Sequence, residues 1–282
     1  MRIATWNVNS LKARLDRVLP WLERAHPDVL LLQETKLQDG RVPVEDFREA
    51  GYEVAHHGQG QWNGVAVLSR VGLEAVVTNF GRPLEAARDP DGIEVNPLSE
   101  ARMIAATCGG VRVVSLYAPN GRSVGSPHYA AKLAWFELLW GWLREAIDLG
   151  APLVLGGDLN VAPADIDVWD PAACEGGTHV SPPERNAFGK LLALGLTDAY
   201  RLQHPEPGRY TWWDYRSGNF HKNIGMRIDH LLISVALVPR VVWTEIDREA
   251  RKGKPTPSDH APLVMDLDEP GRPFDAGWPA AT

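Results

Sequence analysis

Apolar runs in this 282-residue chain repeatedly stop at a carboxylate, an amide or a phenol. IATWN ends at Asn7, DVLLLQE at Glu34, VVSLYAPNG at Tyr117 and Asn120, and PLVLGGDLN at Asp158 and Asn160. MRIDH puts Asp229 at the start of such a run, and PSDH puts Asp259 and His260 just before the last one. Each alone reads as an ordinary strand end or turn, because Asp and Asn side chains bond nearby backbone and glycine tolerates positive φ. Together they form one chemical set, carried where catalytic groups are usually displayed. Glu34, Asp158, Asp229 and Asp259 are hard oxygen donors, and Asn7 and Asn160 add neutral oxygens. Such a set suits Mg2+, or Mn2+ in its place, with phosphate oxygens in the remaining positions. No Cys/His cluster suggests zinc. His260 can contact a phosphate or shuttle a proton, and a carboxylate such as Asp229 can orient its ring. The chemistry implied is metal-assisted displacement at phosphorus. A metal at Glu34, with His260, Asn160 and the Tyr117 hydroxyl, can neutralise the developing charge from several directions.

Positioning these residues takes many strand ends. Period-2 and short apolar runs predict strands at Ile3–Trp6, Val29–Leu32, Tyr52–His56, Val65–Leu68, Leu73–Val77, Ile104–Thr107 and Val111–Leu116. Later ones are Leu153–Leu155, Ile228–Ile233, Val238–Trp243 and Leu263–Asp266. Three helices have clear signals. Ser10 can cap one carrying Leu11, Leu15, Val18, Leu19 and Leu22, which Pro20 should kink or shorten. Ser126-Pro127 opens a longer one that buries Leu133, Phe136, Leu139, Trp140 and Leu143 and closes at Gly150. Ser181-Pro182-Pro183-Glu184 is a capping box, and Gly195 ends that helix. Strands outnumber helices and often follow one another directly. That fits a two-layer β sandwich with helices on its outer faces better than a doubly wound parallel sheet. Gly156 and Gly157 should let the backbone turn sharply where Asp158 must face the rim.

Composition bounds the rest. A net charge of −7 argues against binding nucleic acid by bulk charge, though not against a local basic face. Two cysteines are too few for a disulfide framework, and no run of about 18 apolar residues exists. The N-terminus has no apolar signal region. The expectation is a cytoplasmic protein, monomeric, with no membrane association and no obligate protein partner. It has one domain over 1–268 and a poorly ordered tail over 269–282.

The stretches WNVNSLKAR, PDVLLLQETK, LYAPNG, GGDLN, NIGMRIDHLLIS and SDHAPL occur in the order of the exonuclease III class of apurinic/apyrimidinic endonucleases. The chain resembles that class, within the endonuclease/exonuclease/phosphatase superfamily, from Arg2 to about Asp268. The resemblance implies a four-layered α/β sandwich, two mixed β-sheets packed face to face with helices outside. It implies incision of duplex DNA 5′ to abasic sites, with 3′→5′ exonuclease and 3′-phosphatase or phosphodiesterase activity at 3′ ends. By motif, Glu34 would be the principal Mg2+ ligand, with Asn7 beside it, Asn9 at the next strand-end position and Asp259 completing the shell. Asp158 would activate water or protonate the leaving oxygen, and Asn160 would orient the water. With a second metal, Asp158 and Asn160 would hold it. His260 would bond the scissile phosphate, oriented by Asp229, with Tyr117 and Asn120 opposite. Trp212 and Met226 match positions that line the abasic-sugar pocket, an apolar wall that admits a bare deoxyribose. Arg122, Lys222, Arg227 and Arg251 are candidate phosphate contacts, which position DNA without reading sequence. The chain departs from the class at Ala199, commonly a hydroxyl, at Leu202, commonly basic or His, and in a longer acidic loop over Arg82–Ser99.

Overall fold

The computed structural model describes residues 1–84, 96–146 and 148–278. In chain order the strands are β1 (Arg2–Asn7), β2 (Val29–Gln33), β3 (Glu53–His57), β4 (Val65–Ser69), β5 (Glu74–Thr78) and β6 (Met103–Cys108). They continue as β7 (Val111–Tyr117), β8 (Leu153–Asp158), β9 (Thr197–Asp198), β10 (Asp229–Ile233), β11 (Val241–Ile246) and β12 (Leu263–Leu267). The helices are α1 (Leu11–Ala25), α2 (Val44–Glu49), α3 (Pro127–Ala146), α4 (Pro171–Cys174), α5 (Pro182–Leu192) and α6 (Asn219–Lys222). One sheet runs β11-β12-β1-β2-β4-β3, the other β5-β6-β7-β8-β10-β9. Each contains one parallel pair, β1/β2 and β7/β8, among antiparallel neighbours.

Both faces of both sheets are covered, which is why the strands read as continuous apolar runs. Ile3, Val29, Leu31, Val65 and Val67 of the first sheet meet Ile104, Val113, Val154, Leu231 and Ile233 of the second. On the outside of the first sheet, Trp6, Leu30, Leu32 and Leu68 pack against Val18, Leu22 and Phe47 of α1 and α2. On the outside of the second, Met103, Val114, Leu153 and Leu155 pack against Trp135, Phe136 and Leu139 of α3 and Phe188 of α5. This is the four-layered α/β sandwich expected from the sequence.

The layering explains how the polar residues converge. Side chains facing the other sheet recur every second residue. Along β1 that inner face passes from Ile3 to Thr5 to Asn7, and along β2 from Val29 to Leu31 to Gln33. In the second sheet it passes from Val113 to Ser115 to Tyr117 and from Val154 to Gly156 to Asp158. Because β10 runs antiparallel to β8, its first residue, Asp229, lies opposite Asp158. Tyr117, Asp158 and Asp229 therefore form one row across three strands. Likewise β12 runs antiparallel to β1, which brings the preceding Asp259 and His260 back to the end of β1. The inner faces turn from apolar to polar at one common rim. Gln33 marks the transition, donating to the hydroxyls of Thr5 and Ser115, both at 3.0 Å.

Several local expectations change. Helix α1 continues past Pro20 to Ala25. Pro20 and Asp16, whose carbonyl loses a donor, both lie on the solvent side, so water can satisfy it. In α3 the fully buried apolar residues are Trp135, Phe136, Leu139 and Leu143, while Leu133 and Trp140 are only half-buried. Helix α5 stops at Leu192, ahead of Gly195. Val238–Arg240 is a single 3₁₀ turn containing Pro239, and the strand starts at Val241 and runs on to Ile246. Gly156 and Gly157 lie within β8, not in a turn. A Cβ on Gly156 would stand 2.5 Å from Leu31 of the facing sheet. Gly157 has φ +154°, and a Cβ there would stand 1.9 Å from the Leu116 carbonyl oxygen. They permit close sheet contact and an unusual strand end. Residues 269–278 are packed rather than loose. Arg2 donates to the Arg272 carbonyl at 2.7 Å, Phe274 lies against Trp243, and Trp278 donates to the Ile246 carbonyl at 2.7 Å. The centre of the acidic loop, 85–95, lies outside the described residues.

Candidate active site

Glu34 leaves β2 with φ +51°, and Asn9, Lys36, Arg122 and Asn160 also have positive φ. Non-glycine residues in this region are uncommon and cost about 1 kcal/mol or more, so each must be held by its surroundings. The Glu34 turn is held by its neighbours. Ser10 N–H donates to the Glu34 carbonyl at 2.7 Å, and Thr35 N–H to the Gly64 carbonyl at 3.1 Å. Thr35 Oγ1 lies 2.7 Å from His56 Nε2, and His56 Nδ1 lies 2.7 Å from Asp39. The Asp39–His56–Thr35 chain ties the turn to the end of β3. The sequence reading missed it, because three residues from three segments carry no common motif.

Asn7 donates through Nδ2 to Glu34 Oε1 at 2.8 Å and to Asp158 Oδ2 at 3.0 Å. Its amide nitrogen therefore bridges the two carboxylates, and its oxygen accepts from Asn9 N–H at 3.0 Å. Asp158 accepts from Asn160 N–H at 2.9 Å and lies 3.8 Å from His260 Nε2. His260 Nδ1 pairs with Asp229 at 2.8 Å. The loop carrying His260 is latched to β1. Ser258 Oγ donates to the Asn7 carbonyl at 2.7 Å and Trp6 Nε1 to the His260 carbonyl at 3.1 Å. Asp259 accepts from Asn9 Nδ2 at 3.0 Å and from Trp212 Nε1 at 3.1 Å. Asn160 donates to the Ala118 carbonyl at 3.0 Å and accepts from Asn120 at 3.3 Å.

The electrostatics of the site are lopsided. Burial pushes the Asp158 carboxyl up to about 7; the His260 charge lowers it, while Asp229 and Glu34 raise it further. Burial opposes the charge on His260, but Asp229 and Asp158 outweigh it and raise the imidazole to about 10. His260 is thus an imidazolium with a proton on Nε2, a donor rather than a ligand. Burial would raise Glu34 too, yet Lys36, at 2.8 Å, and Asn7 hold it below its usual value. Burial and the Glu34 charge put the Tyr117 phenol well above its ordinary range, so it keeps its proton. Four carboxylates, Glu34, Asp158, Asp229 and Asp259, face two cations, Lys36 and His260. Ligand atoms of Glu34, Asp158 and His260 all lie within 4.8 Å of one another. With His260 protonated, the donors are the two carboxylates. Their excess negative charge and all-oxygen chemistry fit a hard divalent cation.

Beside His260, Trp212 and Met226 exchange backbone hydrogen bonds of 2.9 and 3.0 Å. Their half-buried side chains join Val168 and Cys174 in an apolar wall. Asn120, Arg122 and Lys222 are exposed. Two other arginines are not available for phosphate. Arg227 is 1% exposed, with Asp167 at 2.7 Å and Asp198 at 2.8 Å. A guanidinium boxed between two carboxylates ties elements together and cannot reach DNA. Arg251 is also buried, donating to the carbonyls of Ser258 and Trp213. Ala199 lies in the core between the sheets, and Leu202 is exposed.

The chain is similar to known proteins over nearly its whole length. The model of the endonuclease/exonuclease/phosphatase family matches residues 4–260. Exodeoxyribonuclease III of Haemophilus influenzae is 32% identical over 278 residues, covering 93% of this chain and 98% of that protein. An AP endonuclease from Archaeoglobus fulgidus is similar with a TM-score of 0.87 and 36% identity, over 95% of this chain and 100% of its own. A 3′ phosphatase from Neisseria, solved bound to product DNA hairpin, has a TM-score of 0.85 and 40% identity over the same shares.

Proposed function

Since this chain belongs to the endonuclease/exonuclease/phosphatase family and is a hydrolase of the nuclease type, we propose that it cleaves duplex DNA 5′ to abasic sites with Mg2+, and that it also trims 3′ ends as an exonuclease and 3′ phosphatase. The observation that carries this reading is the facing arrangement at the rim. The row Tyr117–Asp158–Asp229 on one sheet opposes Asn7 and Glu34 on the other, with His260 between them. A phosphate in that gap meets charge-stabilising groups from both sides. The apolar Trp212–Met226 wall beside it suits a sugar without its base.

Glu34 and Asp158 would hold the metal, with Asn7 keeping them together; Mn2+ could substitute. Bound there, the ion would act as a Lewis acid toward a phosphate oxygen. The chain's own groups do the rest. The His260 imidazolium, kept charged by Asp229, donates from Nε2 to a phosphoryl oxygen. Tyr117, kept neutral, donates its phenol proton from the other sheet. Asp158 faces His260 and the Asn160 amide, where it can take a proton from water or give one to the leaving oxygen. Asn160, fixed by Ala118 and Asn120, orients the water. Asn9 holds Asp259, and the exposed Arg122, Lys222 and Asn120 would touch the DNA backbone.

The test is a duplex carrying one tetrahydrofuran abasic analogue, incubated with Mg2+ or EDTA. A Mg2+-dependent nick 5′ to the analogue is expected, and its absence overturns the reading. A 3′-phosphorylated primer run in parallel should lose its phosphate. Turnover of inositol phosphates in place of DNA would select another branch of the family.

A further inference from the structure

We propose that the buried ion pair between Lys132 of α3 and Glu184 of α5 is a positioning device for the catalytic loops, holding Asn160 and Asn120 from behind. Both side chains are fully buried. An ammonium has three donors, and all three are used. One goes to Glu184, one to the Asn160 carbonyl at 2.6 Å and one to the Asn120 carbonyl at 3.3 Å. Glu184 gathers the segment that closes over these loops. Its Oε1 also accepts from Thr178 Oγ1 at 2.8 Å and His179 N–H at 2.9 Å. Its Oε2 accepts from Ser181 N–H at 3.2 Å and Ser181 Oγ at 2.5 Å. Two of these residues return to the same carbonyls. His179 Nδ1 lies 2.6 Å from the Asn160 carbonyl, and Thr178 Oγ1, whose proton goes to Glu184 at the shorter distance, lies 3.1 Å from that of Asn120. The capping box of α5 therefore does more than start a helix.

A plain tie between two helices would not need this arrangement. The rest of the buried face of α3 is apolar, and an apolar pair of similar volume is often neutral or stabilising in place of a buried ion pair. What an apolar pair cannot supply is donors for two loop carbonyls. Asn160 sits at φ +52°, with its side chain already committed to Ala118 and Asn120. Its carbonyl is the remaining handle by which the amide can be aimed. Misplacement of a catalytic group by about 1 Å can cost about 10²-fold in rate.

The inference rests on Asn160 acting at the phosphate, as proposed above. The test replaces both partners, Lys132→Met with Glu184→Met, alone and with Asn160→Ala. The expected result is a folded protein whose incision kcat falls about 10²-fold at unchanged KM and DNA affinity. In the Asn160→Ala background the same pair should cost clearly less than its full loss in the wild type, because the part carried through Asn160 is already gone and only the part through Asn120 remains. Wild-type kcat in the folded double variant, or a full additional loss on top of Asn160→Ala, overturns the proposal. Should the double variant not fold, Glu184→Gln is read in the same way: a smaller loss in kcat at unchanged KM supports the proposal, and wild-type kcat overturns it. The carbonyl carbon resonance of Asn160 separates this idea from the assigned activity. If it moves in these variants while the wild-type protein fails to nick abasic DNA, the functional reading fails and the positioning contact stands. If it does not move, the positioning proposal fails.

Discussion

Asp229→Asn isolates the charge that keeps His260 protonated. The side chain is fully buried, its partner is His260 Nδ1 at 2.8 Å, and its other oxygen has no partner. Asparagine keeps the shape and removes the charge. Burial lowers the His260 pKa, and Asp229 is the largest influence raising it, ahead of Asp158 and Asp259. The net rise from 6.5 to about 10 corresponds to about 5 kcal/mol in favour of the imidazolium. Without Asp229, burial faces only the weaker support of the remaining carboxylates. With Asp158 and Asp259 still offsetting part of the burial, His260 should then titrate back toward the ordinary histidine range and be neutral at pH 8.5. Losing one charged donor at the phosphate should cost about 10²–10³ in kcat.

The assay is single-turnover incision of the tetrahydrofuran duplex from pH 6 to 8.5 at saturating Mg2+, with thermal melts alongside. The loss should be largest at pH 8.5 and shrink toward pH 6, where the variant's imidazole regains its proton. The stability sign follows from the same shift. A folded pKa above the unfolded one contributes stability that is full below about 6.5 and lost as the pH rises toward 10. The melting difference between wild type and variant should therefore narrow with rising pH. A rate loss of the same size at pH 6 and 8.5 would refute charge support and leave Asp229 a purely geometric role.

Three further outcomes are expected. Asp158→Asn should abolish cleavage while DNA binding by fluorescence anisotropy stays close to wild type; retained cutting, or lost binding, would give Asp158 another role. Arg227→Met should cost about 3 kcal/mol in urea melts, because it removes the guanidinium shared by buried Asp167 and Asp198 and leaves them only Arg201 and His230, and should leave the salt dependence of DNA binding unchanged. Asp198 is held low by Arg227 and His230 against its burial, so its contribution is present above the usual carboxylate range and fades as the pH falls below it. A reduced salt slope at unchanged stability would return Arg227 to the DNA surface. His56→Phe, which cuts Thr35 off from Asp39, should weaken Mg2+ about 10–100-fold. Calorimetric titration with Mg2+ reads it, and wild-type affinity would show that the turn holds Glu34 without this support.

How far the sequence could be read follows from which forces are local. Polar residues ending apolar runs are a local signal, and Asn7, Glu34, Tyr117 and Asp158 all lie at one rim because strands buried on both faces can turn polar only where they end. Asp229 stands at the start of its strand for a reason no local pattern carries, the antiparallel pairing of β10 with β8. Arg227, a candidate phosphate contact by resemblance, is committed instead to Asp167 and Asp198, which reach it from distant segments that no local pattern could join to it. Gly157 looked like a turn residue because only the adjacent strand shows that a Cβ would strike the Leu116 carbonyl. Lys132 lies between these cases. It falls on the same stripe of α3 as Trp135, Phe136, Leu139 and Leu143, where a buried ammonium must find acceptors for every proton. Only the fold reveals that the acceptors are Glu184 and the backbone of the two loops that carry Asn120 and Asn160, which ties this buried lysine to the site.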